Sequence, residues 1–219
     1  MPTTFPGSPR IIKGALVGIN PIIPIPNAIL FQYNPDTLTR RLEARATGGG
    51  EGSDRGEAFR LTGPPKETIT LSIEIDAVDQ LERSDPLAVA SGISPALAAL
   101  ELMLYPKSAT IIGNALLAQA GILEIIPPEA PLIVFVWGPQ RVVPVRLTGF
   151  SITEEAYDTL LNPIRAKLEL SLQVLSTADL RLLHPGYNLF MAHQIAKEVL
   201  GTANLAGNLA TIGASLKLI

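Results

Sequence analysis

The chain has 219 residues, of which 47% are hydrophobic and only 17% are charged, and its formal net charge is −3. This length suffices for one large domain, or for one domain with a small appendage. Globular proteins usually carry about 25% charged residues, so a hydrophilic monomer surface is hard to build from this composition. Because extended apolar patches are rare on soluble monomers, the composition predicts an obligate oligomer.

Charge and cysteine content exclude several classes of protein. The longest basic run is the pair Arg40 and Arg41, so a nucleic-acid-binding face that neutralises phosphates is not expected. The chain has no cysteine, which excludes a disulfide framework and a thiolate ligand. The uncharged stretches 14–35 and 199–216 are interrupted by proline or glycine, so membrane contact is not expected. The proline-rich start has no signal-peptide pattern, which predicts a cytoplasmic protein.

The N-terminal part of the chain contains two strand candidates, residues 12–19 and 29–33. The segment between them is rich in proline, which is unsuited to a central strand. Residues 37–46 are polar and carry no strand prediction. Residues 47–57 are rich in glycine, serine and charge, which predicts a flexible loop.

The clearest pattern in the sequence is alternation of apolar and polar residues. Residues 67–76 and 164–174 alternate along their whole length, which predicts two long strands with one buried and one wet face. Residues 132–137 are continuously apolar and predict a strand buried on both faces. Residues 141–148 alternate again after a Gly-Pro turn, so the two segments predict a hairpin.

Helical signals are fewer. Ser94 is a candidate N-cap for a leucine-rich helix, and residues 108–123 form a weaker helix candidate. Asn188 is a candidate N-cap for a helix over 189–200, which Gly201 would end.

Together these elements predict a mainly β (α+β) protein. An antiparallel β domain occupies residues 1–177, with one packed helix and an insert at 86–130. A short helical extension follows over residues 178–219. The uncharged segments 86–123 and 200–219 are candidates for contacts with neighbouring subunits.

The sequence shows no catalytic, cofactor-binding or metal-binding motif, and we expect no enzyme. His184 and His193 have no nearby carboxylates, so we expect them at surface or cap positions. Glu154, Glu155 and Asp158 form the densest acidic cluster, which leaves a hydrolase as one alternative. We expect this cluster in a loop between two strands, with no apolar pocket to raise a pKa.

Several motifs occur in a characteristic order. They are FQYNPDTLT at 31–39, the alternating strand 67–76, the helix 96–105, PLIVFVWG at 131–138 and NPIRA at 162–166. In this order they resemble the tube-type domain of contractile injection systems and contractile phage tails. The residues that carry the resemblance as fold markers are Phe31, Asn34, Pro35, Trp137, Gly138, Asn162, Pro163 and Arg165.

The resemblance implies a tube-protein-like antiparallel β-barrel or sandwich, with Trp137 closing one end of the barrel. It also implies a tube initiator or adaptor, which forms a hexameric ring between the spike or hub and the inner tube and links it to baseplate wedge components. Such a particle would assemble in the cytoplasm. The alternatives are the major inner tube protein and, from a weak LysM-like pattern at 184–201, a peptidoglycan-binding module.

Two polar rows are candidates for lining the lumen of such a ring, and the sequence does not choose between them. The first row is Thr68, Thr70, Ser72, Glu74 and Asp76, and the second is Arg165, Lys167, Glu169, Ser171 and Gln173. Arg165 is expected to lie beside Glu169 or the acidic loop. Candidate subunit contacts in the extension are Leu189, Ile195, Val199 and Leu200.

Overall fold

A computed structural model describes residues 12–19, 27–45, 61–106, 108–119, 121 and 131–216. The predicted loop 47–57 lies outside these residues. The strands are β1 (Ala15–Ile19), β2 (Asn27–Leu30), β3 (Leu38–Glu43), β4 (Lys66–Asp76), β5 (Leu132–Val136), β6 (Val142–Tyr157) and β7 (Pro163–Val174). The helices are α1 (Val78–Glu82), α2 (Pro86–Ser91), α3 (Ser94–Glu101), α4 (Ser108–Gln119) and α5 (Pro185–Leu216).

The described strands form one antiparallel sheet in the order β2-β1-β5-β6-β7-β4-β3. This confirms the mainly β (α+β) class. Within the described residues this sheet is not closed into a barrel and no second sheet is present, so the prediction of a barrel or sandwich is wrong. The edge strands β2 and β3 do not pair with each other, α3 packs against β2, and a cleft is lined by β2, α1, α3 and the end of β4.

The open sheet is nevertheless strongly curved. Strands β2 and β3 lie at opposite edges although only residues 31–37 connect them. Within this connection the side-chain oxygen of Gln32 accepts a hydrogen bond of 2.9 Å from the amide of Asp76 at the end of β4. The chain after β2 therefore reaches the far side of the sheet, and the apolar face curves around the core.

The core contains the apolar residues of the alternating strands. Ile69, Leu71 and Ile73 of β4 are buried, and the register pairs them with the buried Leu172, Leu170 and Leu168 of β7. Helix α3 adds Leu97 and Leu100 to the same cluster. Both long alternating strands and the packed helix are therefore where the sequence predicts them.

An aromatic cluster forms the core beside β1 and β5. The rings of Phe135 and Trp137 stack with centroids 5.9 Å apart, and Phe31 lies about as close to both. A side-chain carbon on Gly14 would lie 2.7–2.8 Å from ring atoms of Phe31 and Trp137. Trp137 is therefore half-buried against the core at the end of β5, in a sheet that does not close into a barrel.

Several strand boundaries differ from the predictions. Strand β1 begins at Ala15, and β2 ends at Leu30, before Phe31. Strand β3 was not predicted, because its alternation includes two arginines, but it pairs with β4 along its whole length. Strand β6 continues to Tyr157, well beyond the predicted end at residue 148.

The helix boundaries also differ. Ser94 is the first residue of α3 and provides no side-chain cap, whereas Asp85 accepts bonds from the amides of Leu87 and Ala88 and caps α2. Helix α5 begins at Pro185, so Asn188 is not its cap, and it continues through Gly201. The predicted short extension is therefore a helix of 32 residues. Helix α4 confirms the weaker helix candidate as far as Gln119.

Candidate functional site

The two candidate lining rows lie side by side on one face of the sheet. In the register of β4 and β7, Thr70 is opposite Ser171, and Glu74 is opposite Lys167. The remaining pairs are Thr68 with Gln173, Ser72 with Glu169 and Asp76 with Arg165. The rows are therefore two halves of one surface, which the sequence alone could not show.

The neighbouring strands extend this surface. In the register, β3 adds Thr39, Arg41 and Glu43, and β6 adds Arg146, Ser151 and Thr153. We call this surface the polar face, which comprises the side chains of β3, β4, β7 and β6 that point away from the core. Except for Asp76, the residues of both rows are exposed or half-buried, so no described helix covers them. Acidic and basic side chains are both present on this face, and neither sign of charge dominates.

One end of the polar face is fixed by an ion pair. The guanidinium of Arg165 is 2.7 Å from the Asp76 carboxylate and 3.5 Å from that of Glu74. The register places Arg165 between Asp76 of β4 and Ala156 of β6, so it lies beside the 154–158 segment as predicted, but its ion pair is with Asp76. The buried Asp76 carboxylate also accepts a hydrogen bond of 2.6 Å from the amide of Val78. The hydrogen bond to Asp76 raises the pKa of Arg165.

The acidic cluster does not form a loop. Glu154 and Glu155 lie within β6, and only Asp158 lies in the turn after it. The Asp158 carboxylate accepts hydrogen bonds from the Asn162 side chain and amide and from the Leu160 amide, at 2.7–2.8 Å. The bond from the Asn162 side chain is the main reason why the pKa of Asp158 is lowered. A general acid needs a raised pKa, so Asp158 is unsuited to that role. Its hydrogen bonds with Asn162 and Leu160 instead stabilise the turn after β6.

The polar face ends at two free strand edges in the described chain. Strand β3 pairs with β4 on one side and with no strand on the other. Strand β6 pairs with β5 only up to Val145, so one edge of residues 146–157 is also unpaired. Unpaired edges are templates for pairing with another chain. The alternation of Leu38, Arg40 and Leu42 was the one sequence signal for the β3 edge.

At the end of the sheet opposite the Asp76–Arg165 ion pair, β3 and β4 contact the C-terminal part of the chain. The buried Glu67 of β4 pairs with Arg40 of β3 at 2.6 Å and with Lys197 of α5 at 3.6 Å. Burial alone would raise the pKa of Glu67, but the Arg40 hydrogen bond and the Lys197 charge lower it. No sequence pattern marks this cluster, because its members are distant in the chain.

The two histidines occupy different positions. The Nδ1 atom of His184 accepts a hydrogen bond of 3.1 Å from the Gly186 amide at the start of α5. His193 is buried, contrary to the prediction, and its Nδ1 donates to the carbonyl of Gln140 at 3.2 Å. Burial and the Lys197 charge lower the pKa of His193.

The candidate contact residues of α5 lie outside the polar face. Leu189 is half-buried, whereas Ile195, Val199 and Leu200 are 54%, 61% and 48% exposed. Their role in subunit contacts stays a prediction. Among residues 12–19, 27–45, 61–106, 108–119, 121 and 131–216, no group of three metal-ligating side chains occurs, and no helix has the length and apolarity to cross a membrane.

Comparisons with known proteins add little to this geometry. No family model matches the chain, and no curated protein matches it. Among solved structures, a chain of the virion of a native gene transfer agent particle aligns with 74% of this chain and 90% of its own length, at 9% identity and a TM-score of 0.27. A TM-score of this size does not establish a shared fold.

Proposed function

We propose that this protein is a structural subunit that assembles edge to edge into a ring, with the polar face lining a central channel. The observation that carries the proposal is the position of the polar face, which lies between the free edges of β3 and β6. A sheet with one apolar face, one uncovered polar face and two free edges is incomplete as a monomer. Ring closure removes both edges and retains the polar face.

The strand directions support pairing of β3 with β6 of the next copy. Neighbouring strands alternate in direction from β6 through β7 and β4 to β3. Strand β3 is therefore antiparallel to β6. A neighbouring copy that adds its β6 to this β3 continues the antiparallel pattern without reversing any strand.

The geometry also predicts the size of the channel. The resemblance implies six copies, and each copy contributes four strands to the polar face. Roughly 24 strands at a spacing of about 4.8 Å, tilted by up to about 40°, enclose a backbone cylinder about 35–50 Å across. Side chains of the polar face would narrow it.

The more specific proposal is a tube initiator or adaptor of a contractile injection system, positioned between the spike or hub and the inner tube and linked to baseplate wedge components. The motifs around Phe31, Trp137 and Asn162 support this class. The 86–130 insert, which contains α2 to α4, and the 32-residue α5 add much structure beyond the four ring-forming strands. A subunit repeated many times along a tube is expected to be more compact, which favours the adaptor over the major tube protein.

The experiment measures assembly directly. Mass photometry and electron microscopy of the concentrated protein should show closed rings with a central channel. Glu43 on β3 and Arg146 on β6 are exposed charges of opposite sign, and pairing of Thr39 with Ser151 of the next copy would bring them together. Glu43→Arg and Arg146→Glu should each weaken assembly, and the double variant should restore part of it.

Glu82→Arg is the matched control, because Glu82 is exposed on α1, which belongs to neither edge strand. It should assemble like the unaltered protein. A monomer at all concentrations, also in the presence of spike and tube proteins, would contradict the proposal. Rings whose channel is lined by a face of the sheet other than the polar face would also contradict it.

A further inference from the structure

The C-terminal part of the chain holds the β3–β4 hairpin at two separate points. One point is the buried Glu67 of β4, and the other is Arg45, two residues beyond β3. Both points lie at the end of the polar face opposite the Asp76–Arg165 ion pair.

At the first point, α5 and β3 share one carboxylate. Arg40 of β3 and Lys197 of α5 contact different oxygens of Glu67, at 2.6 and 3.6 Å. Phe190 and His193, on the same side of α5 as Lys197, are buried, and His193 bonds the carbonyl of Gln140. The proximal half of α5 is therefore firmly docked, and its Lys197 charge helps to keep Glu67 ionised and available to Arg40.

At the second point, the segment between β7 and α5 contacts the end of β3. The Asp179 carboxylate pairs with Arg45 at 3.3 Å and accepts bonds of 3.0 and 2.7 Å from the amide and hydroxyl of the buried Ser176. The Ser176 bonds fix the position of the Asp179 carboxylate, and this carboxylate in turn restrains Arg45.

These contacts involve β3, the shortest strand of the polar face. Strand β3 has six residues and, among the strands that the structure describes, only β4 as a neighbour. Short edge strands with few buried side chains open more readily than central strands. Arg40 and Arg45 therefore supply contacts that β3 lacks from strand pairing.

We propose that the C-terminal segment positions the ring-forming edge: Asp179 and Lys197 hold β3, through Arg45 and Glu67, in the conformation that pairs with a neighbouring copy. This inference rests on the proposed ring. It makes α5 and its linker part of the assembly mechanism, in addition to any contact that the exposed Ile195, Val199 and Leu200 make.

The test uses the full chain with Arg45→Gln and Lys197→Gln combined, because both changes remove a charge and retain a long polar side chain. Hydrogen exchange of the monomer at low concentration measures opening of β3, and mass photometry measures the concentration at which rings form. Arg181→Gln is the matched control, since Arg181 is an exposed cation in the same linker.

We expect amides of residues 38–43 in the double variant to exchange about fivefold to tenfold faster, because partly buried ion pairs contribute roughly this factor to a local equilibrium. Amides of β7 should not change, and rings should require several-fold more protein. Unchanged exchange in β3 overturns the inference, and so does accelerated exchange with unaltered ring formation. If the unaltered protein forms no ring, the proposed function fails. The proposed role of the C-terminal segment in assembly then fails too, even if β3 exchanges faster in the double variant.

Discussion

The β5–β6 hairpin and the β7–β4 pair belong to the same sheet but are buried in different ways. In the hairpin, both faces are buried: Val134 is 5% exposed although it points away from Phe135, which is 0% exposed. The β7–β4 pair is buried on one face only, and its other face is the polar face.

The difference shows where the sheet is completed by its own chain. The start of α5 lies against the outer face of the hairpin, the face to which Leu132 and Val134 belong. Gly186 at the start of α5 approaches Leu132 closely. No such segment covers the polar face in the described chain, so this face remains available to line a channel.

The largest expected effect is in the hairpin core. Phe135→Ala removes a fully buried ring from the cluster with Phe31 and Trp137. It should lower the free energy of unfolding by about 3–5 kcal/mol. Urea unfolding followed by tryptophan fluorescence measures this, because Trp137 is the only tryptophan and stacks on Phe135. A loss below about 1 kcal/mol would show that the hairpin core is looser than described.

The next effect comes from adding an atom to the same cluster. A Cβ atom in Gly14→Ala would lie 2.7–2.8 Å from the rings of Phe31 and Trp137. Overpacking of this kind should cost about 1–3 kcal/mol of stability. Gly149→Ala is the matched control, since nothing lies within 4 Å of its added carbon. Equal stability of the two variants would contradict the packing of β1 on Trp137.

A matched pair of substitutions tests the comparison itself. Val134→Thr puts a hydroxyl on the buried outer face of the hairpin and should cost about 1–3 kcal/mol. Ser171→Val makes the reverse change on the polar face and should alter monomer stability by less than about 0.5 kcal/mol. Thermal unfolding at a concentration below assembly measures both. Similar costs would mean that both outer faces are buried alike.

The smallest effect concerns pH. Burial lowers the pKa of His193 in the folded chain, whereas the unfolded chain should titrate near pH 6.5. The unfolded state therefore binds more protons as the pH falls, so the stabilisation that is present above about pH 6.5 decreases below it. The free energy of unfolding should be measured at one pH above and one pH below about 6.5. It should decrease more between them for the unaltered protein than for His193→Gln. Identical losses would contradict the burial of His193.

The predictable parts of the fold are those with strong local patterns. Strands β4, β5 and β7 could be predicted because alternation or a continuous apolar run reports directly on burial. Strand β3 could not, because Arg40 lies on the apolar face and is satisfied there by Glu67, a partner that the sequence does not reveal. The end of α5 was mispredicted because an exposed helix tolerates Gly201 in its interior.

The candidate functional site likewise has parts that the sequence predicts and parts that it does not. Each polar row could be read from its own strand, but their adjacency depends on pairing between residues such as Thr70 and Ser171, which are far apart in the chain. The contacts of Arg45 with Asp179 and of Glu67 with Lys197 depend on the path of the C-terminal segment. Barrel closure was wrongly predicted because α3 packs beside β2, where a closing strand would lie.

Cross-linking between neighbouring copies tests the pairing of β3 with β6 most directly, and the absence of natural cysteine makes the result unambiguous. Single chains would carry Thr39→Cys on β3 together with Ser151→Cys or Thr153→Cys on β6, because these residues share the polar face. Mild oxidation of the assembled protein should give a ladder of covalent oligomers that ends at a closed ring of about six copies. Oxidation that yields only monomers from intact rings, with every pair of positions along the two edges, would contradict the account.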